Sequence, residues 1–287
     1  MKRLFRVLFA AASVICAACM VLLFSYFRMN QESADEYENL LTRVVTVRET
    51  AEQSEIKRDQ NTEKVQQAGM MKNPPSLFVD FDELRKVNED IAAWIDFPGQ
   101  NISYPVVQGS DNTHYLKYTF EGKRNAAGCI FVDSRNEGLL TDNNTIIYGH
   151  NMRNGSMFGL LKQYMEKDHY EQFPYFDLYL PDGVFRCRIL ACCRVPAKEE
   201  NYPTRFVSDL ERSQFVSGMR KKGTYSIDPS DSKEDMPLGG LDNAFSEKST
   251  DGELPLVMLS TCIGGQSKYR FVILAEAVKV ETELLFR

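Results

Sequence analysis

Apolar residues are unevenly spread along the chain, and their distribution divides it into three parts. Residues 7–27 form a run of 21 residues without a charge. The segment that follows is polar, and beyond it short apolar runs alternate with Gly, Pro, Asn and Asp. This pattern predicts a cytoplasmic cap and transmembrane anchor over residues 1–28, a polar stalk or linker over residues 29–75, and one compact domain over residues 76–287.

The run 7–27 has the length of a membrane-spanning helix, since about 20 apolar residues cross a bilayer core. Lys2, Arg3 and Arg6 precede it, and acidic residues follow it. Because positive charge is retained in the cytoplasm, we expect a single-pass type II protein of the cell membrane, with its compact domain extracellular. A cleaved signal peptide is the alternative, but the apolar core of such a peptide has only about 7–15 residues.

The compact domain consists mainly of strand-like runs. Its first apolar residues recur at steps of three and four, which predicts a helix over residues 81–94. Helical patterns also occur at 156–166 and 208–222, the second opened by a capping box of Ser208 and Glu211. Seven runs typical of β-strands stand at residues 102–108, 128–133, 144–150, 175–180, 184–195, 254–262 and 269–280. Many strands with few helices predict a mostly β barrel or sandwich.

The composition is that of an ordinary globular protein, with 287 residues, 43% of them hydrophobic and 26% charged, and a formal net charge of −6. A nucleic-acid partner is not expected, because binding to phosphates requires a basic face. Of the seven cysteines, two lie in the run 7–27, which leaves five beyond it. An odd number in an exported domain indicates a free thiol, and the absence of a CxxC pair argues against zinc.

Three residues that could carry chemistry stand at the ends of predicted strands. Cys262 ends the run LPLVMLSTC, His150 ends NTIIYGH, and Arg270 stands near the start of YRFVILAEAVKV. Each has a structural alternative, namely a buried core thiol, a hydrogen-bonded histidine and a salt bridge at the sheet edge.

Together, the three residue types fit acyl transfer. A thiolate can attack an amide carbonyl and form a thioester. A histidine can move protons between the thiol, the leaving amine and the incoming nucleophile. An arginine stays charged and can donate hydrogen bonds to the developing oxyanion. The combination therefore indicates a cysteine enzyme that acts on amides.

The stretch that ends at Cys262 resembles the signature of the sortases, the membrane-anchored cysteine transpeptidases of Gram-positive bacteria. That signature is TLxTC on one strand, with an Arg on the next strand and a His at the end of an earlier one. Here it stands as Met258-Leu259-Ser260-Thr261-Cys262, with Met258 in place of the first Thr. Class B sortases are the closer resemblance, which covers about residues 80–280. The stretches that carry it are YPVVQGSDNTHYL (104–116), AAGCIFVDSRN (126–136), NTIIYGHNMRNGSMFGLLKQY (144–164) and LSTC (259–262).

The resemblance implies an eight-stranded sortase β-barrel with N-terminal helices and a helix-containing insertion, residues 200–253, before the Cys strand. It also implies that Cys262 is the nucleophile, His150 the general acid/base and Arg270 the oxyanion donor. Four further residues match positions that bind the sorting signal in class B sortases, and they are Asn112, Leu116, Ser260 and Thr261. It implies no metal and no cofactor.

The activity that the resemblance implies is transpeptidation. The substrate would be a secreted protein with a C-terminal sorting signal resembling NPxTN or [SNP]PxTG, cut after the Thr through a thioester. The acyl group would pass to an amine of the cell-wall precursor, lipid II or peptidoglycan. Three alternatives stay open: a pilin-polymerising sortase, a cysteine hydrolase in which water replaces the amine, and a non-catalytic surface adhesin. The presence of all three catalytic residue types disfavours the adhesin.

Overall fold

A computed structural model of the chain describes residues 2–47, 75, 77–199, 202–227, 254–262 and 268–280. The helices in this part are α1 (Lys2–Val44), α2 (Phe81–Val87), α3 (Lys167–Gln172) and α4 (Asp209–Lys221), with 3-10 helices at Gly159–Met165 and Ala197–Glu199. The strands are β1 (Val45–Val47), β2 (Leu77–Val79), β3 (Ile91–Asp96), β4 (Ser103–Val107), β5 (Ile130–Val132), β6 (Asn144–Tyr148), β7 (Tyr175–Leu180), β8 (Gly183–Pro196), β9 (Leu256–Cys262) and β10 (Tyr269–Val280).

Eight strands close into a barrel in the order β10-β8-β7-β3-β4-β5-β6-β9. Neighbouring strands pair antiparallel, except that β4 with β5 and β6 with β9 are parallel. The β8–β10 pairing extends from Tyr269 opposite Pro196 to Val280 opposite Val184. Closure removes the exposed sheet edges that an open sheet would present. The eight-stranded barrel expected from the sequence is confirmed, and β1 and β2 form a separate two-stranded sheet.

The barrel interior is filled by large apolar side chains. Trp94, Phe97 and Phe176 are fully buried, and the rings of Phe97 and Phe176 stack with their centroids 4.9 Å apart. The indole Nε1 of Trp94 donates a hydrogen bond to Ser103 Oγ at 2.9 Å, so the ring's one polar group is satisfied inside the core. This interior fixes the strands whose ends carry the candidate site.

The first predicted helix of the compact domain is correct only in part. Asp80 caps α2 by accepting a hydrogen bond from Glu83 N at 3.0 Å, and the helix ends at Val87. The rest of the predicted helix 81–94 is wrong, because Ile91–Asp96 form strand β3. The residues of β3 are buried on both faces of the strand. A short run buried on both faces has no period-2 alternation, and its apolar spacing can therefore coincide with the helical period.

The insertion before the last two strands carries helix α4. Ser208 caps it by accepting from Glu211 N at 3.2 Å, while the Glu211 carboxylate accepts from Val207 N at 2.7 Å. The helix packs on the outside of the barrel through Met219, which is buried beside Met258 of β9 and Val272 of β10. The predicted insertion therefore contains a helix, and residues 228–253 of it lie outside the described part of the chain.

Helix α1 combines two surfaces of different character. The large apolar side chains that the structure describes between Phe5 and Phe27 are exposed. The segment Leu8–Val44 is long and apolar enough to span a membrane. From Ser33 onward the helix instead buries one face against the barrel. The predicted boundaries at residues 28 and 75 stay predictions, and residues 48–74 lie outside the described part of the chain.

Candidate active site

The candidate site lies where three neighbouring strands of the barrel begin or end. Strand β6 is followed directly by Gly149 and His150, and β9, which runs parallel to β6, ends at Cys262. Strand β10 returns antiparallel to β9, so that Arg270 and Cys262 are Cα partners. Because parallel strands end at the same rim, the topology brings residues that are far apart in sequence to one end of the barrel.

A cavity of about 300 Å³ opens at this rim. Its lining residues are Asn112, Leu116, Phe131, Tyr148, Gly149, His150, Ser260, Thr261 and Arg270. Six of the seven residues that the sequence predicted to act at a site thus lie around one cavity. The seventh, Cys262, is described by its backbone, which continues β9 directly from Thr261 in the cavity wall.

The imidazole of His150 is held from two sides. Its Nε2 lies 2.9 Å from the carbonyl oxygen of Leu116. On another side lies Gly128, where an added Cβ would come within 3.2 Å of His150 Cδ2 and 2.3 Å of Tyr115 O. Gly128 also has a φ of 58°, a left-handed conformation that favours glycine. The segment that contains Leu116 and Gly128 therefore forms a fitted support for the histidine ring.

The backbone around His150 is also fixed. The carbonyl of His150 accepts a hydrogen bond from Phe158 N at 2.9 Å, and Asn151 forms a β-bridge with Met157. Gly149 N donates to Ser260 O at 3.3 Å, which ties the segment to β9. The loop that carries the histidine is thus fastened to the barrel on both sides of that residue.

Two hydroxyls in the cavity wall lack a hydrogen-bond partner among the described residues. They are Ser260 Oγ and Thr261 Oγ1, whose residues are buried with 1% and 3% exposure. A buried hydroxyl without a partner costs free energy, and each such group calls for an explanation. Both residues line the cavity, although neither hydroxyl oxygen is itself exposed to it.

Sequence reasoning did not identify the group that organises one wall of the cavity, the buried carboxylate of Asp133. It accepts hydrogen bonds from Asn112 Nδ2 at 3.1 Å and from Tyr148 OH at 3.0 Å. It is also paired with the Arg135 guanidinium, whose terminal nitrogen lies 2.7 Å away. Asn112 is further fixed because its Oδ1 accepts from Ser134 N at 2.8 Å. The carboxylate thus sets the orientation of two lining side chains.

Burial by itself would raise the pKa of Asp133, but hydrogen bonds from Arg135, Asn112 and Tyr148 lower that pKa to about 2. The group is therefore ionised at neutral pH, where it can only accept hydrogen bonds. The only sign of this group in the sequence is its position, as a charged residue at the end of the apolar run GCIFVD.

The cavity floor was also missed. Phe131 and Tyr148 line it with rings whose centroids are 5.4 Å apart, and Gly149 adjoins them. Leu116 adds an apolar side chain that is 37% exposed. An aromatic and aliphatic floor beside a few polar groups is typical of sites that bind an organic ligand. Nothing in the sequence distinguished Phe131 and Tyr148 from ordinary core residues.

The other cysteines of the barrel have the properties of core residues. Burial raises the pKa of Cys129, Cys192 and Cys193 to about 12, and it raises that of Cys187 as well. These thiols are therefore protonated at neutral pH and unreactive as nucleophiles.

Comparison with known proteins shows the family. Sortase B of Staphylococcus aureus (strain NCTC 8325 / PS 47) is 31% identical over 192 residues, which cover 65% of this chain and 79% of that protein. The chain belongs to the sortase B family. Sortase B of Listeria monocytogenes is 31% identical over 171 residues, 60% of this chain and 67% of that protein. No family model matches the chain.

The fold agrees with this assignment. A Staphylococcus aureus sortase B–substrate complex superposes with a TM-score of 0.63 and 24% identity, covering 88% of this chain and 99% of that one. Membership of the family implies a cysteine transpeptidase. The expected resemblance to class B sortases and the expected barrel are both confirmed.

Proposed function

We propose that this chain cleaves the C-terminal sorting signal of secreted proteins after a Thr and transfers the new carboxyl end to an amine of the cell-wall precursor. One observation carries the proposal. His150, Arg270 and Ser260-Thr261 line a single cavity, and the next residue of β9 is Cys262, the Cα partner of Arg270. The chain's membership of the sortase B family supports the same chemistry.

In the proposed first half-reaction, the Cys262 thiolate attacks the carbonyl carbon of the Thr. The oxyanion that forms is stabilised by the guanidinium of Arg270, and the C–N bond then breaks as His150 gives a proton to the leaving amine. A carbonyl oxygen can only accept, so the contact between His150 Nε2 and Leu116 O assigns a proton to Nε2. Proton exchange with the reactants therefore belongs to Nδ1.

In the second half-reaction, an acceptor amine attacks the thioester carbonyl and gives up a proton to His150. The collapse of that intermediate releases the Cys262 thiolate and leaves an amide bond between the two substrates. With water in place of the amine, the same residues would yield hydrolysis. The choice between the two outcomes depends on the acceptor.

We propose that the sorting signal binds along the cavity wall. Asn112 and Leu116 provide one polar and one apolar contact, and Ser260 and Thr261 form the adjoining part of the wall. The signal would resemble NPxTN or [SNP]PxTG. Support comes from the similar fold of a Staphylococcus aureus sortase B in complex with substrate.

We further propose a type II orientation in the cell membrane, with the catalytic domain outside the cell. The exposed apolar half of α1 and the cations Lys2, Arg3 and Arg6 before it support this orientation. It would place the active site on the side of the membrane where secreted proteins and wall precursors meet.

The test uses the full chain in detergent micelles with a fluorogenic NPQTN peptide. The wild-type protein should cleave the peptide, and hydroxylamine should trap the acyl group as a hydroxamate. Cys262→Ala should do neither while keeping the wild-type circular dichroism. Peptide cleavage by Cys262→Ala would overturn the proposal. Cys187→Ala is the matched control, since it removes a buried barrel thiol and should leave cleavage unchanged.

A second arm identifies the acceptor. Triglycine or a diaminopimelate peptide is added to the reaction, and the products are separated by mass. A ligated product supports transpeptidation, and one formed with a pilin lysine peptide would indicate pilus assembly. A carboxylic acid as the only product at saturating amine would favour the hydrolase alternative.

A further inference from the structure

The part of α1 nearest the barrel is packed against the compact domain along one helical face. Its buried residues are Ser33, Glu36, Tyr37, Leu40 and Val44, at spacings of three and four. Glu36 accepts a hydrogen bond from Glu121 N at 3.2 Å and lies 3.4 Å from Lys123 Nζ. Asn125 Nδ2 donates to Met29 O at 2.7 Å. The helix is thereby fastened to the segment between β4 and β5.

Tyr37 is the centre of this contact. Its hydroxyl donates to Gly128 O at 2.7 Å and accepts from Phe120 N at 3.3 Å, and both hydrogen bonds are buried. Its ring meets Tyr104 edge to face, with centroids 5.5 Å apart. One side chain of α1 therefore bonds to two points of the segment that follows β4 and also packs on β4 itself.

The segment that Tyr37 holds is the one that supports His150. Gly128 lies against the imidazole so closely that a Cβ there would be 3.2 Å from Cδ2. The carbonyl oxygen of Leu116, which accepts the hydrogen bond from His150 Nε2, belongs to the same segment. Cys129 N donates to Tyr115 O at 2.9 Å, which joins the part of the segment that contains Gly128 to the part that contains Leu116. A shift of Gly128 would therefore act on the imidazole directly, with no residue between them.

A second connection runs through the ring contact. Tyr104 OH accepts from Met157 N at 3.1 Å. Met157 bridges to Asn151, and its neighbour Phe158 donates to the carbonyl of His150. Tyr37 therefore contacts the segment that supports the imidazole of His150. Through Tyr104 it is also linked to Met157 and Phe158, which hold the backbone of His150.

We infer that Tyr37 is a positioning residue for His150, so that the docked end of the anchor helix sets the geometry of the acid/base. The inference rests on the proposed function, in which His150 moves protons. The Tyr37 hydroxyl touches neither substrate nor reacting atoms. It holds the Gly128 carbonyl, and Gly128 in turn limits where the imidazole can lie.

The experiment compares Tyr37→Phe with wild type as full chains in micelles. The variant keeps the ring contact with Tyr104 and loses the hydrogen bonds of the hydroxyl with Gly128, Phe120 and Cys129. We expect kcat to fall about tenfold, less than the roughly 10²-fold cost of a 1 Å misplacement of a catalytic group. KM should stay within about twofold, and the limb of the pH–kcat/KM profile that depends on Cys262 and His150 should shift.

Tyr225→Phe is the matched control. It removes a phenol hydroxyl that likewise donates to a backbone carbonyl, Tyr164 O at 3.0 Å, which lies outside the segment between β4 and β5. It should lower thermal stability without moving the pH profile. A direct readout is available because the chain has only three histidines. With 13C-labelled histidine, the Cε1 signal of His150 should move in Tyr37→Phe and not in Tyr225→Phe.

The outcomes separate the two proposals. Equal kcat, pH profile and His150 signal in Tyr37→Phe and Tyr225→Phe would overturn the positioning role and leave the proposed function intact. Cleavage by Cys262→Ala would overturn the proposed function itself. If Tyr37→Phe is too unstable in buffer, it is compared with Tyr225→Phe in sucrose, which strengthens the burial of apolar surface. An unshifted pH profile and His150 signal under those conditions overturn the inference.

Discussion

Arg270 lies directly opposite Cys262 as its Cα partner in the β9–β10 pair, although seven residues separate the two in sequence. The pairing continues along both strands to Glu276 opposite Leu256. This register decides which residue of β10 lies opposite each residue of β9. A slip by one residue would move Arg270 away from Cys262 and would turn the Arg270 side chain to the other face of the sheet. The long β8–β10 pairing on the other side of β10 opposes such a slip.

This relationship predicts the effect of Arg270→Lys. We expect kcat for the sorting peptide to fall about 10²-fold, the usual cost of losing one oxyanion donor. A lysine keeps the positive charge but lacks the planar fork of donors. Steady-state kinetics of the full chain provides the measurement. Arg194→Lys is the control, because that guanidinium stacks on the ring of Tyr269, 4.1 Å from its centroid, and should be dispensable. Wild-type kcat in Arg270→Lys would remove the residue from the oxyanion role.

Strand content was readable from the sequence, but the eighth barrel strand was not. Seven runs were recognised because turn residues separate them, and β7 and β10 match their predicted limits. β3 was hidden because it follows α2 after three residues, and both of its faces are buried. The docking of α1 was equally hidden, since Tyr37 and Leu40 in a polar stretch resemble isolated apolar residues until the barrel supplies their partners.

The candidate site shows the same division. Cys262, His150 and Arg270 could be singled out because reactive or charged residues at strand ends are unusual. Asp133 could not, since its role depends on Asn112 arriving from a distant loop. Hydrogen bonds between distant side chains leave no periodic signal in a sequence, so the groups that orient a site are the ones that sequence reasoning misses.

Asp133→Asn should weaken both substrate binding and the fold. The amide cannot accept from Arg135, Asn112 and Tyr148 as the carboxylate does, so we expect KM for the sorting peptide to rise about tenfold with a smaller change in kcat. Loss of hydrogen bonds to a charged group should lower the free energy of unfolding by about 1.5–3 kcal/mol. Peptide kinetics and urea denaturation in micelles measure the two effects.

The pH dependence of that stability difference follows from the sign of the pKa shift. The folded-state pKa of Asp133 is about 2, below the unfolded value of about 3.9. Its contribution is therefore complete above about pH 5 and declines as the pH falls toward 2. The difference in unfolding free energy between wild type and Asp133→Asn should shrink over that window. A difference that stayed constant from pH 6 to pH 2 would contradict the ionised role.

Asp96→Asn should raise the free energy of unfolding at neutral pH, whereas Asp133→Asn should lower it. Burial at the end of β3 raises the pKa of Asp96; with the opposing effects of the Ser103 hydrogen bond and Arg186 and the added effect of Asp177, that pKa is about 7. The folded state thus binds a proton more tightly than the unfolded state, whose pKa is about 3.9. Wild-type stability should fall as the pH rises from about 4 to 7. Asparagine carries no charge, so the variant should match wild type near pH 4 and be more stable at pH 7.

Urea denaturation across that pH range tests the prediction. Asp182→Asn is the control, because that carboxylate is exposed and lies 4.0 Å from Lys279 Nζ. It should leave the pH dependence of unfolding unchanged. A variant at position 96 that is less stable than wild type at pH 7 would show that the carboxylate is ionised and favourably paired there.

A comparison of Gly128→Ala with Gly122→Ala separates the effect of close contact with Tyr115 and His150 from the effect of backbone strain. Both glycines have positive φ, 58° and 77°, so both alanines carry the roughly 1–2 kcal/mol cost of a left-handed residue. At Gly122 nothing lies within 4 Å of the added Cβ, whereas at Gly128 it would stand 2.3 Å from Tyr115 O. Gly128→Ala must therefore displace the segment that supports His150.

In urea denaturation, we expect Gly122→Ala to lower the free energy of unfolding only by the cost of backbone strain. Its kcat should equal that of the wild type. Gly128→Ala should lose more stability, and its kcat should fall at least about 10²-fold as the imidazole is displaced. Equal losses of stability in the two variants, with kcat preserved in both, would mean that the segment can yield at Gly128 without moving the histidine. The close approach of Gly128 to the ring would then have no part in holding His150.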